Sequence, residues 1–282
     1  MQQLALNLKD IYPFLGEDGR DPILHAVLLR NFSAKSQTNP NRPAILILPG
    51  GGYGLLSVRE RETVGLPFLA GGFNIFVLEY SVAPHCDPSQ IVEVAAAMDL
   101  IRKNAEQWHV DPNRIAVMGF SAGGHLSAYY SNRFDCEAVR KHFPDSRRPN
   151  ACVLGYARLT ADEAYLHTPC IERLVGHAHL TDEERTAFSC EKMVTDRTPP
   201  TFIWTTRMDE IVSVMDSLLY AEALAKHDVP FSMHIYPVGK HGLVTGDEMT
   251  NRPEVLANGA SLAHSWIGEA IAWLNLTFQI GI

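Results

Sequence analysis

A serine surrounded by small residues is the strongest chemical feature of the sequence. Residues 119–123 read Gly-Phe-Ser-Ala-Gly, directly after the apolar run 115–118 and before a helix-like stretch from Ala122 to Asn132. A Gly-x-Ser-x-Gly pattern between a strand and a helix places the serine on a strained turn that exposes its Oγ, where only small neighbours fit. The pentapeptide alone is also typical of a tight turn that packs a helix on a strand. The flanking elements favour Ser121 as a nucleophile.

Two loops further along the chain carry the acid and the base that such a serine needs. A serine hydroxyl is a weak nucleophile unless a base accepts its proton and a third group orients that base. Asp209 follows the apolar run 201–205, and His241 follows the run 231–236. The chain order serine, acid, histidine points to acyl transfer, with Asp209 as the acid and His241 as the base.

Other residues compete for these two roles. The chain has 12 histidines, and most of them fall inside predicted strands or near predicted helix ends. His125 is close to the serine in sequence, but its predicted helix directs it along the helix flank. A loop position between two glycines at a strand end distinguishes His241. Glu210 and Asp216 remain alternative acids, and both positions also suit an exposed loop or a helix N-terminus.

A glycine-rich loop offers donors for the oxyanion that forms during acyl transfer. Residues 48–53 read Leu-Pro-Gly-Gly-Gly-Tyr at the end of the apolar run 44–48. Glycines let the backbone approach a substrate closely and turn its N–H groups toward it. We expect Gly51, Gly52 and Ala122 to supply the donors. Such a run alone is also typical of a flexible turn, but the nucleotide-binding glycine patterns are absent.

Strand-like apolar runs alternate with helix-length amphipathic segments. The runs cover 44–48, 73–80, 115–120, 151–155, 201–205 and 231–236. Segments 88–107 and 217–227 each carry a helical apolar stripe. This alternation predicts a mostly parallel sheet with helices on both faces. The runs 4–8 and 23–32 add an antiparallel pair at one edge, so we expect about eight strands in one domain spanning residues 1–282.

One connection is too long for a simple crossover. About 45 residues separate the runs that end at 155 and begin at 201. A connection of this length in a compact domain is usually functional. We therefore predict a small, helical, cap-like insertion over about residues 157–200.

Charged and metal-type clusters elsewhere are weaker signals. Residues 59–62 read Arg-Glu-Arg-Glu, which we interpret as the solvated start of a helix that could also neighbour the glycine-rich loop. His177 and His179 have no Cys or Glu near them at ligand spacing, so a surface position is favoured over a metal site. We expect neither a metal nor a cofactor.

Composition excludes several classes of protein. The 282 residues are 46% hydrophobic with a net charge of −8, which argues against disorder. No apolar run approaches the roughly 18 residues of a membrane span, and no basic block marks a nucleic-acid binder. An odd number of scattered cysteines and an N-terminus without leader-like features predict a cytoplasmic protein. A small molecule is the expected partner, and oligomerisation stays open.

Several motifs together resemble a known family. Pro-Gly-Gly-Gly-Tyr, Gly-Phe-Ser-Ala-Gly-Gly-His-Leu, Thr-Pro-Pro-Thr-Phe-Ile-Trp and His-Gly-Leu occur in this order within residues 44–273. This part of the chain resembles the α/β-hydrolase esterases and is similar to the bacterial acetyl-esterase and feruloyl-esterase-like group, some of whose members are labelled as xylanases. The resemblance implies an α/β-hydrolase fold with Ser121 as nucleophile, Asp209 as acid and His241 as base. It also implies the oxyanion donors named above.

The residues and the resemblance together predict a serine carboxylesterase. We expect it to remove short acyl groups, acetyl foremost, from alcohols such as sugar hydroxyls, through an acyl-enzyme. The chain departs from the group at positions 157–158, 205–206 and 212–213, near the mouth of the expected site. We expect Tyr53 and Arg158 to bind the substrate there. The alternatives are an arylformamidase or peptidase-type amide hydrolase, and a hydrolase-like binding protein without catalysis.

Overall fold

The computed structural model describes residues 1–30, 41–162, 164–165 and 169–280. The strands in these residues are β1 (Gln2–Asn7), β2 (Ile23–Leu28), β3 (Arg42–Leu48), β4 (Asn74–Glu79), β5 (Val110–Phe120), β6 (Ala151–Gly155), β7 (Thr201–Thr206) and β8 (Phe231–Tyr236). The α-helices are α1 (Leu8–Ile11), α2 (Glu62–Ala70), α3 (Ser89–Lys103), α4 (Ser121–Arg133), α5 (Glu137–Arg140), α6 (Cys170–Val175), α7 (Asp182–Phe188), α8 (Val214–Lys226), α9 (Pro253–Leu256) and α10 (Trp266–Thr277). Short 3-10 segments cover Pro13–Gly16, Val58–Glu60, Cys190–Lys192 and Ala257–Ser265.

All eight strands of the described residues form one sheet in the order β1-β2-β4-β3-β5-β6-β7-β8. β2 pairs antiparallel with β1 and with β4, and the strands from β4 through β8 pair in parallel. The predicted fold class, a mostly parallel sheet with helices and an antiparallel edge pair, is confirmed. Strands β6 and β8 coincide with the predicted runs. Of the predicted strand 23–32, β2 ends at Leu28, and residues 31–32 lie outside the described residues.

Helices cover both faces of the sheet, which explains the unbroken hydrophobic runs. Along β3, Ala44, Leu46 and Leu48 point into a core shared with α3, α4 and α8. Ile45 and Ile47 point the other way, into a second core shared with α2 and α10. Since neighbouring residues of a strand face opposite sides, a strand covered twice must be apolar at every position.

The parallel strands end at a common edge, and the predicted chemical residues follow those ends. The glycine-rich loop follows β3, Ser121 follows β5, Asp209 follows β7 and His241 follows β8. Ligands of open parallel sheets bind outside the carboxyl ends of the strands, because the loops of several strands converge there. The topology therefore brings together segments that lie far apart in the sequence.

The long connection between β6 and β7 carries α6 and α7. Helix α7 begins with a capping box in which the Thr181 hydroxyl accepts from the Glu184 N–H and the Glu184 carboxylate accepts from the Thr181 N–H. The interpretation of residues 157–200 as a cap-like insertion stays a prediction. Over the described ranges, no helix is both long and apolar enough to cross a membrane.

Candidate active site

Ser121 lies on a sharp turn between β5 and α4. Its φ of 52° is in the left-handed region, which side-chain-bearing residues adopt at a cost. A Cβ on Gly119 would lie 2.1 Å from the carbonyl oxygen of Gly123, and a Cβ on Gly123 would lie 2.1 Å from that of Leu48. The turn therefore excludes any side chain at both glycine positions. This is the physical reason for the small residues around the serine.

Ser121, His241 and Asp209 form a continuous hydrogen-bonded chain. The Ser121 Oγ lies 2.9 Å from His241 Nε2. On the other side of the ring, His241 Nδ1 lies 2.7 Å from Asp209 Oδ2. A carboxylate can only accept, so Nδ1 carries the proton and donates it, which leaves Nε2 to accept from the serine hydroxyl. The ring is thus held in the tautomer that a general base for Ser121 requires.

The loop after β7 fixes the Asp209 carboxylate. Its Oδ1 accepts hydrogen bonds from the N–H groups of Ile211 and Val212, each at 2.9 Å. Because these two donors occupy one oxygen, Oδ2 is directed to His241. The side chain is fully buried, so this orientation is protected from competing water.

The two competing acids lie elsewhere. Glu210 is exposed. Asp216 is buried near the start of α8, where its Oδ1 accepts from the N–H groups of Leu159 and Thr160 at 2.8 and 3.1 Å. Of the two positions expected for Asp216, the helix N-terminus is the one observed, because Asp216 lies in the first turn of α8; it is buried there since its carboxylate binds the backbone that follows β6. Neither carboxylate contacts His241.

The glycine-rich loop presents backbone N–H groups beside Ser121. Gly51 and Gly52 have φ of 131° and 62°, and a Cβ on Gly51 would lie 2.0 Å from the Leu55 carbonyl oxygen. Within the described part of the chain, the N–H groups of these two glycines donate to no other protein group. Ala122 is the second residue of α4, and the first N–H groups of a helix lack partners within it. Gly51 and Gly52 line the same cleft as Ser121, and Ala122 follows Ser121 in the chain.

Glu60 supports the glycine-rich loop from behind, a role the sequence did not reveal. Its Oε2 accepts from the Gly50 N–H and its Oε1 accepts from the Tyr156 hydroxyl, both at 2.6 Å. Burial raises the pKa of this carboxyl, and the two hydrogen bonds oppose that shift. The interpretation of residues 59–62 as a solvated helix start is thus wrong at Glu60, which is 4% exposed. The alternative interpretation, that this run neighbours the glycine-rich loop, is confirmed by the hydrogen bond between Glu60 and Gly50.

Tyr156 connects Glu60 to the histidine. It follows β6 and has a φ of 35°, and its ring packs edge-on against that of His241 at 5.0 Å between centroids. Burial raises the pKa of the Tyr156 hydroxyl well above its usual range, so this group stays a donor to Glu60. One buried pair thus contacts both the glycine-rich loop and the His241 ring. No sequence motif marks either residue.

A cleft of about 470 Å³ opens above Ser121 and His241. Arg59, Arg158 and Arg173 line it together with apolar side chains. Arg158 therefore lies where a substrate-binding residue was expected. It is buried, and its Nη1 lies 3.6 Å from the carboxylate of Asp216.

Tyr53 does not line this cleft, in contrast to its expected role in substrate binding. It is fully buried, and its hydroxyl donates to His125 Nδ1 at 2.8 Å. The opposite ring nitrogen of His125 donates to the Phe188 carbonyl at 2.9 Å. Burial lowers the pKa of His125 to about 4, so this histidine is a neutral structural residue. The turn that positions Gly51 and Gly52 directs the next side chain inward, away from the cleft.

The sequence matches a known protein family and curated relatives. The BD-FAE family model matches residues 31–224, which include Ser121 and Asp209 and end before His241. Endo-1,4-beta-xylanase B of Butyrivibrio fibrisolvens is 38% identical over 217 residues, or 73% of this chain and 33% of the relative. Acetylxylan esterase of Xylanibacter ruminicola is 32% identical over 213 residues, or 74% of this chain and 42% of the relative. The chain thus spans less than half the length of these curated relatives.

The solved structures match over nearly the whole chain. An acetyl ester-xyloside bifunctional hydrolase from Caldicellulosiruptor lactoaceticus superposes with a TM-score of 0.83 at 30% identity, covering 99% of this chain and 97% of that one. A carboxylesterase from Lactobacillus plantarum superposes with a TM-score of 0.81 at 26% identity, covering 98% of each chain. These matches place the fold among the α/β-hydrolases.

Proposed function

Since this chain belongs to the BD-FAE family and has an α/β-hydrolase fold, we propose that it is a serine carboxylesterase that removes short acyl groups, acetyl foremost, from alcohols such as sugar hydroxyls. The observation that carries the proposal is the chain of hydrogen bonds from Ser121 through His241 to Asp209. The names of the relatives, an acetylxylan esterase and an acetyl ester-xyloside hydrolase, support the choice of acetyl and sugar.

The residues act in two half-reactions. His241 Nε2 accepts the proton of Ser121 as its Oγ attacks the ester carbonyl, and the resulting oxyanion is held by backbone N–H groups of Gly51, Gly52 and Ala122. The tetrahedral intermediate collapses, the bond to the alcohol oxygen breaks, and His241 returns the proton to the leaving alcohol. Water then attacks the acyl-enzyme by the same route and releases the acid. Asp209 stabilises the imidazolium that forms in each half.

Replacement of Ser121 by alanine tests the proposal. We expect Ser121→Ala to lower kcat on p-nitrophenyl acetate by at least about 10³-fold, because the nucleophile is lost. The exposed Ser261, which does not line the cleft, provides a matched control, and Ser261→Ala should retain full activity. Full turnover by Ser121→Ala would refute the triad. No turnover by the unmodified protein on any ester would favour a binding protein without catalysis.

The preference for short acyl groups needs a separate measurement. Acetyl, butyryl and octanoyl p-nitrophenyl esters are compared by kcat/KM, beside N-formylkynurenine and an acetylated xylo-oligosaccharide. We expect the acetyl ester and the oligosaccharide to be preferred. A preference above about tenfold, or 1.4 kcal/mol, for the octanoyl ester or for the formamide would overturn the assignment.

We also propose a cytoplasmic location for the protein, which rests on the scattered free thiols. Fractionation of the native host with an antibody to the protein tests this location. Recovery in the medium or the cell envelope would contradict it.

A further inference from the structure

The cleft above Ser121 is rich in positive charge although the chain as a whole is acidic. The net charge of the sequence is −8, yet three arginines line this cleft. Among the described residues that line it, Glu60 is the only carboxylate, and its oxygens are already occupied by Gly50 and Tyr156. Binding of a neutral acetyl ester does not require several guanidinium groups.

Arg173 lies over the glycine-rich loop. It belongs to α6, and its Nη1 donates to the Gly52 carbonyl at 3.1 Å. The guanidinium is so close to the loop that a Cβ on Gly52 would lie 3.0 Å from Nη1, and a Cβ on Gly54 would lie 3.4 Å from Nε. The side chain is exposed, so its charge faces solvent at the cleft.

Arg59 lies beside the loop that carries His241. Its Nη1 donates to the Thr250 carbonyl at 3.0 Å, and its Nη2 lies 3.3 Å from the position of a Cβ on Gly242. Both arginines are held by carbonyl oxygens, and neither forms an ion pair with a carboxylate in the part of the chain that the structure describes. Arg158 differs, because the carboxylate of Asp216 balances its charge.

We propose that the cleft binds esters that carry a negatively charged carboxylate, with Arg59 and Arg173 as its recognition groups. A guanidinium fixed by one carbonyl keeps further N–H donors, which match the geometry of a carboxylate. The carboxylate belongs either to the acyl group, as in a monoester of a dicarboxylic acid, or to the alcohol, as in an acetylated acidic sugar. The proposal rests on the proposed esterase function and specifies its substrate class.

Matched pairs of esters test the proposal. The acyl arm compares mono-p-nitrophenyl adipate with its neutral methyl ester, and the alcohol arm compares para-acetoxybenzoate with its methyl ester. We expect the anionic member of at least one pair to have the higher kcat/KM. Added salt should lower that ratio, because it screens exposed charges. The arm that responds identifies which half of the substrate carries the charge.

Charge removal at the arginines completes the test. Arg59→Gln and Arg173→Gln should each lower the ratio of anionic to neutral kcat/KM by about fivefold, the size of one favourable, partly exposed charge contact. Arg173→Lys should retain part of the ratio, because it keeps the charge but loses the planar fork. The exposed Arg147, remote from the cleft, provides the matched control, and Arg147→Gln should leave the ratio unchanged.

The two proposals fail in different ways. If both neutral esters are hydrolysed in a Ser121-dependent manner but neither anionic ester is preferred, the carboxylate proposal is overturned and the esterase proposal stands. An anionic preference that survives both glutamine substitutions overturns the role of the arginines. If Ser121→Ala hydrolyses every ester as well as the unmodified protein, the proposed function itself is overturned.

Discussion

Replacing Glu60 by alanine should lower both the stability of the protein and its turnover. The substitution removes the acceptor of two buried hydrogen bonds, those from the Gly50 N–H and from the Tyr156 hydroxyl. Each buried donor left without an acceptor costs about 1–3 kcal/mol, so the gross loss is about 2–6 kcal/mol. Burial raises the pKa of Glu60, which means that its negative charge is unfavourable in the folded protein. Removing this charge recovers part of the lost free energy of unfolding, so we expect a net loss of about 2–4 kcal/mol.

The substitution should also lower turnover, because it displaces the glycine-rich loop. Loss of one oxyanion donor costs about 10²–10³ in kcat, and a loop that is loosened rather than deleted should cost about tenfold to a hundredfold. Since we expect Glu60 to act through the loop, by its hydrogen bond with the Gly50 N–H, the change should appear in kcat more than in KM. Urea denaturation and steady-state kinetics on p-nitrophenyl acetate measure the two effects.

The same charged run contains a matched control. Glu62 is exposed, two residues beyond Glu60, so Glu62→Ala should change the free energy of unfolding by no more than about 0.5 kcal/mol. Tyr156→Phe removes only the hydroxyl of the partner, and a double-mutant cycle with Glu60→Gln should give a coupling energy of about 1 kcal/mol or more. If Glu60→Ala behaves like Glu62→Ala in both assays, the supporting role of Glu60 is refuted.

Three further substitutions probe the site and its surroundings. Asp209→Asn should lower kcat by about 10³–10⁴-fold with little change in KM, because an amide no longer holds His241 in the required tautomer; a drop below about tenfold would contradict this. Gly119→Ala should abolish soluble expression or lower the melting temperature sharply, because the new methyl group would meet the Gly123 carbonyl oxygen at 2.1 Å. Burial raises the pKa of Glu93 from its ordinary value near 4.5 to about 7, so the folded protein binds that proton more tightly than the unfolded chain between these pH values. Stability should therefore fall as pH rises through this window, by up to about 3 kcal/mol, and urea denaturation of Glu93→Gln at several pH values should lack that part of the slope.

Much of the fold follows from local patterns in the sequence. Strands β6 and β8 coincide with the apolar runs that predict them, because two covered faces require apolar residues at every position. The antiparallel edge pair is also confirmed. Helix α3, Ser89–Lys103, lies within the predicted helical segment 88–107. Such features depend on residues that are close together in the chain, so local sequence patterns predict them.

Residues that act across the fold were harder to predict. Glu60 lies in a run of alternating charges, and such runs are usually solvated, so nothing local indicates that its carboxylate is buried and accepts from Tyr156, 96 residues further along the chain. Tyr53 belongs to a motif that favours a role at the site, yet its hydroxyl donates to His125, which is 72 residues away. Arg59 and Arg173 approach the same cleft from separate segments, without a shared pattern in the sequence.

Residue types and their order along the chain are enough to predict the chemical groups of the site and their local geometry. A serine between glycines, a glycine-rich loop and an acid and a histidine after apolar runs are fixed by residue type, by strand and helix periodicity and by the steric demands of tight turns. Which of these groups meet, and what surrounds them, depends on long-range packing. Distances such as 2.9 Å between Ser121 and His241, the buried bridge at Glu60 and the charge of the cleft depend on parallel strands that align their carboxyl ends at one edge.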